Sequence, residues 1–168
     1  MHPVLKICDQ PTFETTDLST FAFAISIQGK GSYPAVLRPD FRGKRLNLYF
    51  DDTVEGEGVA TPADIDELFR FALQWLSTAR SDPALASVLI HCGAGISRSA
   101  ASALMLFTLY FSDYQRAAAH LFRTHRHVIP NSWMCRLISE RLGPAYGPDI
   151  FEPLANGKEE ASRAQAPT

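Results

Sequence analysis

The stretch that decides the fold is Ser87-Val88-Leu89-Ile90-His91-Cys92-Gly93-Ala94-Gly95-Ile96-Ser97-Arg98-Ser99, which runs on into the Ala- and Leu-rich segment ending near Phe111. Residues 87–92 are a short apolar run with aliphatic and β-branched side chains, the pattern of a strand buried on both faces. Residues 97–111 read as a helix. Gly93, Ala94 and Gly95 therefore sit in a tight strand-to-helix turn. Such a turn points several backbone N–H groups into one hollow, and the helix dipole adds positive potential there. The hollow fits a phosphate-like dianion. The small residues let an anion reach the backbone, and glycine tolerates the left-handed conformations a tight loop demands. The planar guanidinium of Arg98 can hold two oxygens of that anion at once. Gly93, Ala94, Gly95, Ile96, Ser97 and Arg98 are thus the expected anion-binding residues.

Cys92 lies in the same field, at a helix N-terminus beside an arginine. Such surroundings bring a cysteine pKa down to about 3.5–7.5, so the thiolate is available at neutral pH without a partner base. A thiolate that displaces an oxygen from phosphorus also needs a proton donor for the leaving group. The best candidates are Asp51 and Asp52, at the end of the run Arg45-Leu46-Asn47-Leu48-Tyr49-Phe50 and the start of the polar, Gly-containing segment DDTVEGEGVATP. Leu46, Leu48 and Phe50 alternate, so Asp52 continues the inward side and Asp51 points away. Asp52 is the first choice and Asp51 the alternative, with Glu55 and Glu57 on the same loop.

Working outward, 21–27 and 45–50 read as strands. Thr61 and Pro62 open a helix through about Ala79, with Asp64 and Asp66 as helix-start charges rather than catalytic groups. Further helices are expected over 113–126, closed by Pro130, and over 132–142, capped by Asn131. His125 and His127, with Arg123 and Arg126, read as an exposed basic helix end. The fold expected is a single α/β domain with a central sheet flanked by helices, the cysteine loop lying at the C-terminal end of its strand. It spans residues 1–146, and 147–168 form a polar, poorly ordered tail.

The segment HCGAGISRS resembles the HCxxGxxRS signature of the cysteine-dependent protein tyrosine phosphatases, in particular their small dual-specificity branch. LYFDDT is similar to the strand and loop that carry that family's general acid, and VIPN at 128–131 to the segment opening its last helix. The resemblance covers about residues 18–145. It implies that Cys92 forms a phosphocysteine, Arg98 binds the phosphoryl oxygens, Ser99 eases departure of the thiolate, His91 braces the cysteine and Asp52 is the acid. It also implies phosphotyrosine, with phosphoserine or phosphothreonine, as the substrate class, and no cofactor or metal. Requiring His91, Gly95 and Ser99 beside the Cys-x5-Arg pair brings a chance match to on the order of 10⁻⁵. The rival readings are a phosphate-recognition module without turnover, a phosphatase of a non-protein phosphoester, and sulfur transfer by a rhodanese-like cysteine loop.

Composition narrows the partners. The chain has 168 residues, 46% of them hydrophobic, and a net charge of −2. One domain with ample core is expected, without the broad basic field that holds nucleic acid or an anionic membrane. The partner expected is a phosphorylated protein or a small phosphoester, with no nucleic acid and no membrane; the oligomeric state stays open. Cys8, Cys92 and Cys135 are three, with no CxxC spacing, so neither a disulfide framework nor a structural zinc is expected. Cys8 and Cys135 read as buried small hydrophobes, with a disulfide to an oxidised Cys92 as the reactive alternative. The N-terminus lacks a signal-peptide pattern and no stretch reaches membrane-span length, so the location expected is cytoplasmic.

Overall fold

A computed structural model describes residues 2–35 and 41–146. The tail expected over 147–168 lies outside the described residues. Four strands form one sheet: β1 (Leu5–Cys8), β2 (Phe23–Gln28), β3 (Lys44–Tyr49) and β4 (Val88–His91), in the order β1-β4-β2-β3 with every pair parallel. Every residue of β2 and β4 is buried, as central strands of a parallel sheet covered on both faces must be. β3, at an edge, is half-buried or exposed except at Leu48, which is buried, with Tyr49 outward.

Helices α2 (Pro62–Ser81), α3 (Arg98–Phe111), α4 (Tyr114–Thr124) and α5 (Ser132–Leu142) follow the expected segments closely. Thr61 and Asp64 form a reciprocal capping box at the start of α2, and Asp66 pairs with Arg141 of α5, so both acids serve the fold. Asn131 caps α5 by accepting from the Met134 N–H at 3.0 Å. α3 is buried almost all round, which suits an Ala- and Leu-rich sequence packed between the sheet and the α2, α4 and α5 helices. β1 and the short helix α1 (Gln10–Thr15) are the elements that periodicity did not reveal. LKIC is only four residues long, with a lysine in it, too short to show a period.

The main core joins the faces of α2, α3 and α5 to Phe23, Ile25, Ile27, Leu48, Val88 and Ile90. A smaller cluster on the opposite face of the sheet joins Ala24, Leu89 and Cys8 to Phe13 of α1 and Leu18. Trp75 is fully buried and its indole N–H donates to the Ala86 carbonyl at 2.8 Å, which satisfies its one polar atom. Among the described residues no helix is long and apolar enough to cross a membrane.

Candidate active site

Residues 92–97 link the C-terminal end of β4 to the first turn of α3. Gly95 fixes the shape of this turn. Its φ is +70°, and a Cβ there would lie 2.5–2.7 Å from the backbone of Cys8 and Asp9. Only glycine meets both conditions. The loop is clasped from two sides by backbone hydrogen bonds: Gln10 N–H to the Gly93 carbonyl (3.3 Å), Ile129 N–H to the Ile96 carbonyl (3.0 Å), and Asn131 N–H to the Ser97 carbonyl (3.2 Å). β1 and α1, unseen in the sequence, thus form one jaw of the clasp, and the Val128–Asn131 segment forms the other.

The Cys92 side chain is fully buried, and Ser99 Oγ lies 3.2 Å from its sulfur. Burial, the largest single influence, opposes ionisation. Hydrogen bonds from the Ser99 hydroxyl and from the backbone N–H groups of Ser99, Ile96 and Gly95 together outweigh it and hold the thiol below its ordinary pKa. Ser97 stands at the N-cap of α3 but makes no capping bond with its side chain. Its hydroxyl instead donates to Asp52 Oδ1 at 2.7 Å. The first N–H groups of α3 are therefore left to face the sulfur and any bound anion.

Arg98 is only 7% exposed. Its Nη1 donates to the Phe50 carbonyl at 2.6 Å, its Nε lies 3.6 Å from Asp52 Oδ2, and that buried Nε has no hydrogen-bond partner. One edge of the guanidinium is thus anchored to the end of β3, while Nε is paired with Asp52 by charge but makes no hydrogen bond. A buried charged donor without an acceptor is costly, and an anion in the loop would relieve that cost.

His91 is buried on the opposite side of the sheet. Its Nε2 lies 2.7 Å from Ser26 Oγ, and its ring packs against Phe13 at a centroid distance of 4.0 Å. Burial pushes its pKa down to about 4, so the ring is neutral at pH 7. It stands behind the cysteine as part of the sheet rather than in the anion pocket. β1 and β4 pair with Cys8 beside His91, which puts Cys8 in the small cluster while Cys92 joins the main core. Burial also pushes Cys8 and Cys135 up to about 12. All three cysteines are free thiols in this structure.

The two aspartates part company. Asp51 Oδ1 accepts from the Lys30 N–H at 3.0 Å, and Gly58 packs so close to the other carboxylate oxygen that a Cβ there would collide with it. Asp51 thus ties the loop after β3 to the turn after β2. Asp52 faces Arg98 and the cysteine loop, and its Oδ1 accepts from both Ser97 Oγ and Asn131 Nδ2 (3.0 Å). The side chain of Asn131 was expected only as a helix cap. Here its carbonyl caps α5 while its amide reaches Asp52 and the Thr53 carbonyl (3.3 Å). Nothing in local sequence signals this second task except the position of Asn131 in the VIPN segment. Among the described residues, no group of three His, Cys, Asp or Glu side chains is placed to hold a metal ion.

The architecture defines the class: a parallel sheet with a cysteine loop between its central strand and a buried helix, the fold of the small tyrosine and dual-specificity phosphatases. The human tyrosine phosphatase-like serine/threonine/tyrosine-interacting protein is similar over 82% of this chain and 90% of its own, at 20% identity and a TM-score of 0.60. The Cydia pomonella phosphatase PTP-2 is similar at 22% identity over 82% and 84%, with a TM-score of 0.59. DUSP15 is similar at 18% identity over 94% and 92%, with a TM-score of 0.57. No protein-family model matches the chain, and comparison with curated proteins finds no match.

Proposed function

We propose that the protein hydrolyses phosphomonoesters through a phosphocysteine, with phosphotyrosine proteins, and phosphoserine or phosphothreonine proteins alongside them, as the substrate class. The observation that carries this reading is the pairing of Cys92, held toward its thiolate by three amides and a hydroxyl, with the buried guanidinium of Arg98, whose Nε makes no hydrogen bond. The phosphoryl oxygens take up the loop N–H groups and Arg98, which places phosphorus in front of the sulfur. Sγ then attacks phosphorus as the bond to the leaving oxygen breaks, and protonated Asp52 gives its proton to that oxygen. Oδ1 of Asp52 is occupied by Ser97 and Asn131, so Oδ2, on the Arg98 side, is the oxygen that delivers it. In the second step the Asp52 carboxylate takes a proton from water, the water oxygen bonds to phosphorus, and the S–P bond breaks with the electron pair returning to sulfur. The Ser99 hydroxyl, 3.2 Å away, stabilises that departing thiolate.

The test is hydrolysis of an aryl phosphate such as para-nitrophenyl phosphate by the wild type and by Cys92→Ser. Turnover by the wild type and none by the variant, with phosphate or vanadate still bound by both, is the expected result. Binding without turnover by the wild type would establish the recognition module instead, and activity retained in Cys92→Ser would remove the nucleophile. The similarity to a protein called phosphatase-like and interacting gives that second reading its standing.

A further inference from the structure

The basic helix end expected from Arg123, His125, Arg126 and His127 is part of something larger. A groove of about 710 Å³ opens beside Ala94, Gly95 and Ile96 of the cysteine loop, between the end of β1 and the C-terminal end of α4. Lys6 lines it from β1 and the four basic residues line it from α4 and the turn that follows. A second cavity of about 260 Å³, lined by His2, Arg116 and His120, shares Arg123 with the first. Arg123 thus stands at the border of both. Arg116, His120 and Arg123 recur at the i, i+4, i+7 spacing of one face of α4, so the helix carries the basic residues away from the loop, with His125, Arg126 and His127 in the turn that follows it.

Acids are few along this track. Among the described residues lining the two cavities Asp9 is the one acid, and its carboxylate is engaged by the Thr12 N–H at 3.0 Å. Asp113, at the start of α4, is spent on the Arg116 N–H at 2.9 Å. None of the ion pairs among the described residues involves Lys6, Arg116, Arg123 or Arg126. Arg116 stacks over Phe111 at 4.8 Å and Arg123 Nη2 donates to His120 Nδ1 at 3.1 Å, so both are oriented without being neutralised. In a chain of net charge −2, such one-signed clustering next to an anion-binding loop creates a local field that steers and holds negative partners.

We propose that this track is the docking site for an acidic stretch of the phosphoprotein substrate, whose Asp and Glu side chains meet Arg126, Arg123 and Arg116 in turn while the phosphorylated residue occupies the Cys92 loop. The proposal rests on the phosphatase reading and adds the substrate class to it. Arg116 to Arg123 spans about 10 Å of helix, roughly three residues of extended chain. The groove begins at the loop itself, so the acidic side chains fall roughly two to six residues from the phosphorylated one. Arg116, Arg123 and Arg126 are exposed and follow one another along α4 and the turn after it, a linear arrangement that suits an extended acidic chain.

The experiment compares two phosphotyrosine peptides that differ only in carrying glutamates or glutamines at those flanking positions. They are assayed with the full chain as wild type and as Arg116→Glu/Arg123→Glu, two exposed residues outside the catalytic machinery. The expected result is a kcat/KM for the glutamate peptide about tenfold above the glutamine peptide, carried by KM, shrinking in high salt and lost in the variant. Hydrolysis of para-nitrophenyl phosphate stays unchanged in the variant. Equal kcat/KM for both peptides in the wild type, or a preference that survives the charge reversal, would overturn the docking site. If no aryl phosphate is turned over, the phosphatase reading fails on its own, and fluorescence anisotropy with the same peptides in unphosphorylated form still decides docking. A glutamate preference that the variant loses supports it, and no preference overturns it. Binding of phosphatidylcholine vesicles containing a phosphoinositide, dependent on Arg116 and Arg123 and without any peptide preference, would overturn it in favour of a lipid surface.

Discussion

The cysteine loop and the loop after β3 face each other across the site, yet they are built on different principles. Residues 92–99 are held by their own backbone: a left-handed glycine, three amides on one sulfur, and main-chain bonds to the segments on either side. The loop after β3 is largely exposed through Gly56 and is tied down mainly by side chains: Asp51 on Lys30, Asn131 on Asp52 and Thr53, and Trp133 on the Ala60 carbonyl at 2.8 Å. Cys92 thus sits in a frame fixed by main-chain contacts. Asp52 sits on a loop held by a few replaceable side-chain contacts, as would suit a loop that adjusts to a substrate.

The largest effect is expected at Cys92, where Cys92→Ser should take hydrolysis of any phosphomonoester below detection. Next comes the acid. Asp52→Ala is expected to lower kcat about 10²–10⁴-fold for alkyl phosphates and less for aryl phosphates with good leaving groups. Asp51→Ala, by contrast, should loosen the loop with a smaller effect that does not depend on the leaving group; a reversed ranking in a leaving-group series would exchange their roles. Gly95→Ala tests the rigidity of the cysteine loop. The left-handed φ and the clash with the Cys8–Asp9 backbone should cost about 3 kcal/mol in chemical denaturation, whereas Gly56→Ala, in the open, meets only the strain of its φ.

Acid pH should weaken the fold through His91. Its folded pKa of about 4 lies below the unfolded value near 6.5, so the unfolded chain takes up the proton first and stability falls as pH drops from about 6.5 to 4. The loss is about 2–3 kcal/mol between pH 7 and 4.5 by urea titration, and His91→Asn should remove that part of the slope. The smallest effect expected is on the sulfur itself. Ser99→Ala removes the hydroxyl that most favours its thiolate and should raise the pH midpoint of iodoacetamide alkylation of Cys92 above that of the wild type.

The strand, turn and helix around Cys92 were legible because their signals are contiguous: an aliphatic run, small residues where the backbone must approach an anion, then an Ala-rich helix. The caps at Thr61 and Asn131 were legible for the same reason, since each acts within three residues of itself. β1 was not, because four residues carry no period. Its role as the wall against which Gly95 is pressed follows from a pairing with β4 across 83 positions.

By itself, then, the sequence determined the cysteine loop and the α/β order of elements, since local propensity and spacing govern both. Strand alternation put Asp52 ahead of Asp51, but tertiary structure alone decided that Asn131 and Ser97 hold Asp52 beside Arg98, and that Lys6 of β1 lies across one groove from Arg123 and Arg126. Those outcomes depend on side chains meeting across long separations in the chain. Long-range pairing of that kind is set by how the sheet and helices pack, and no window of neighbouring residues contains it.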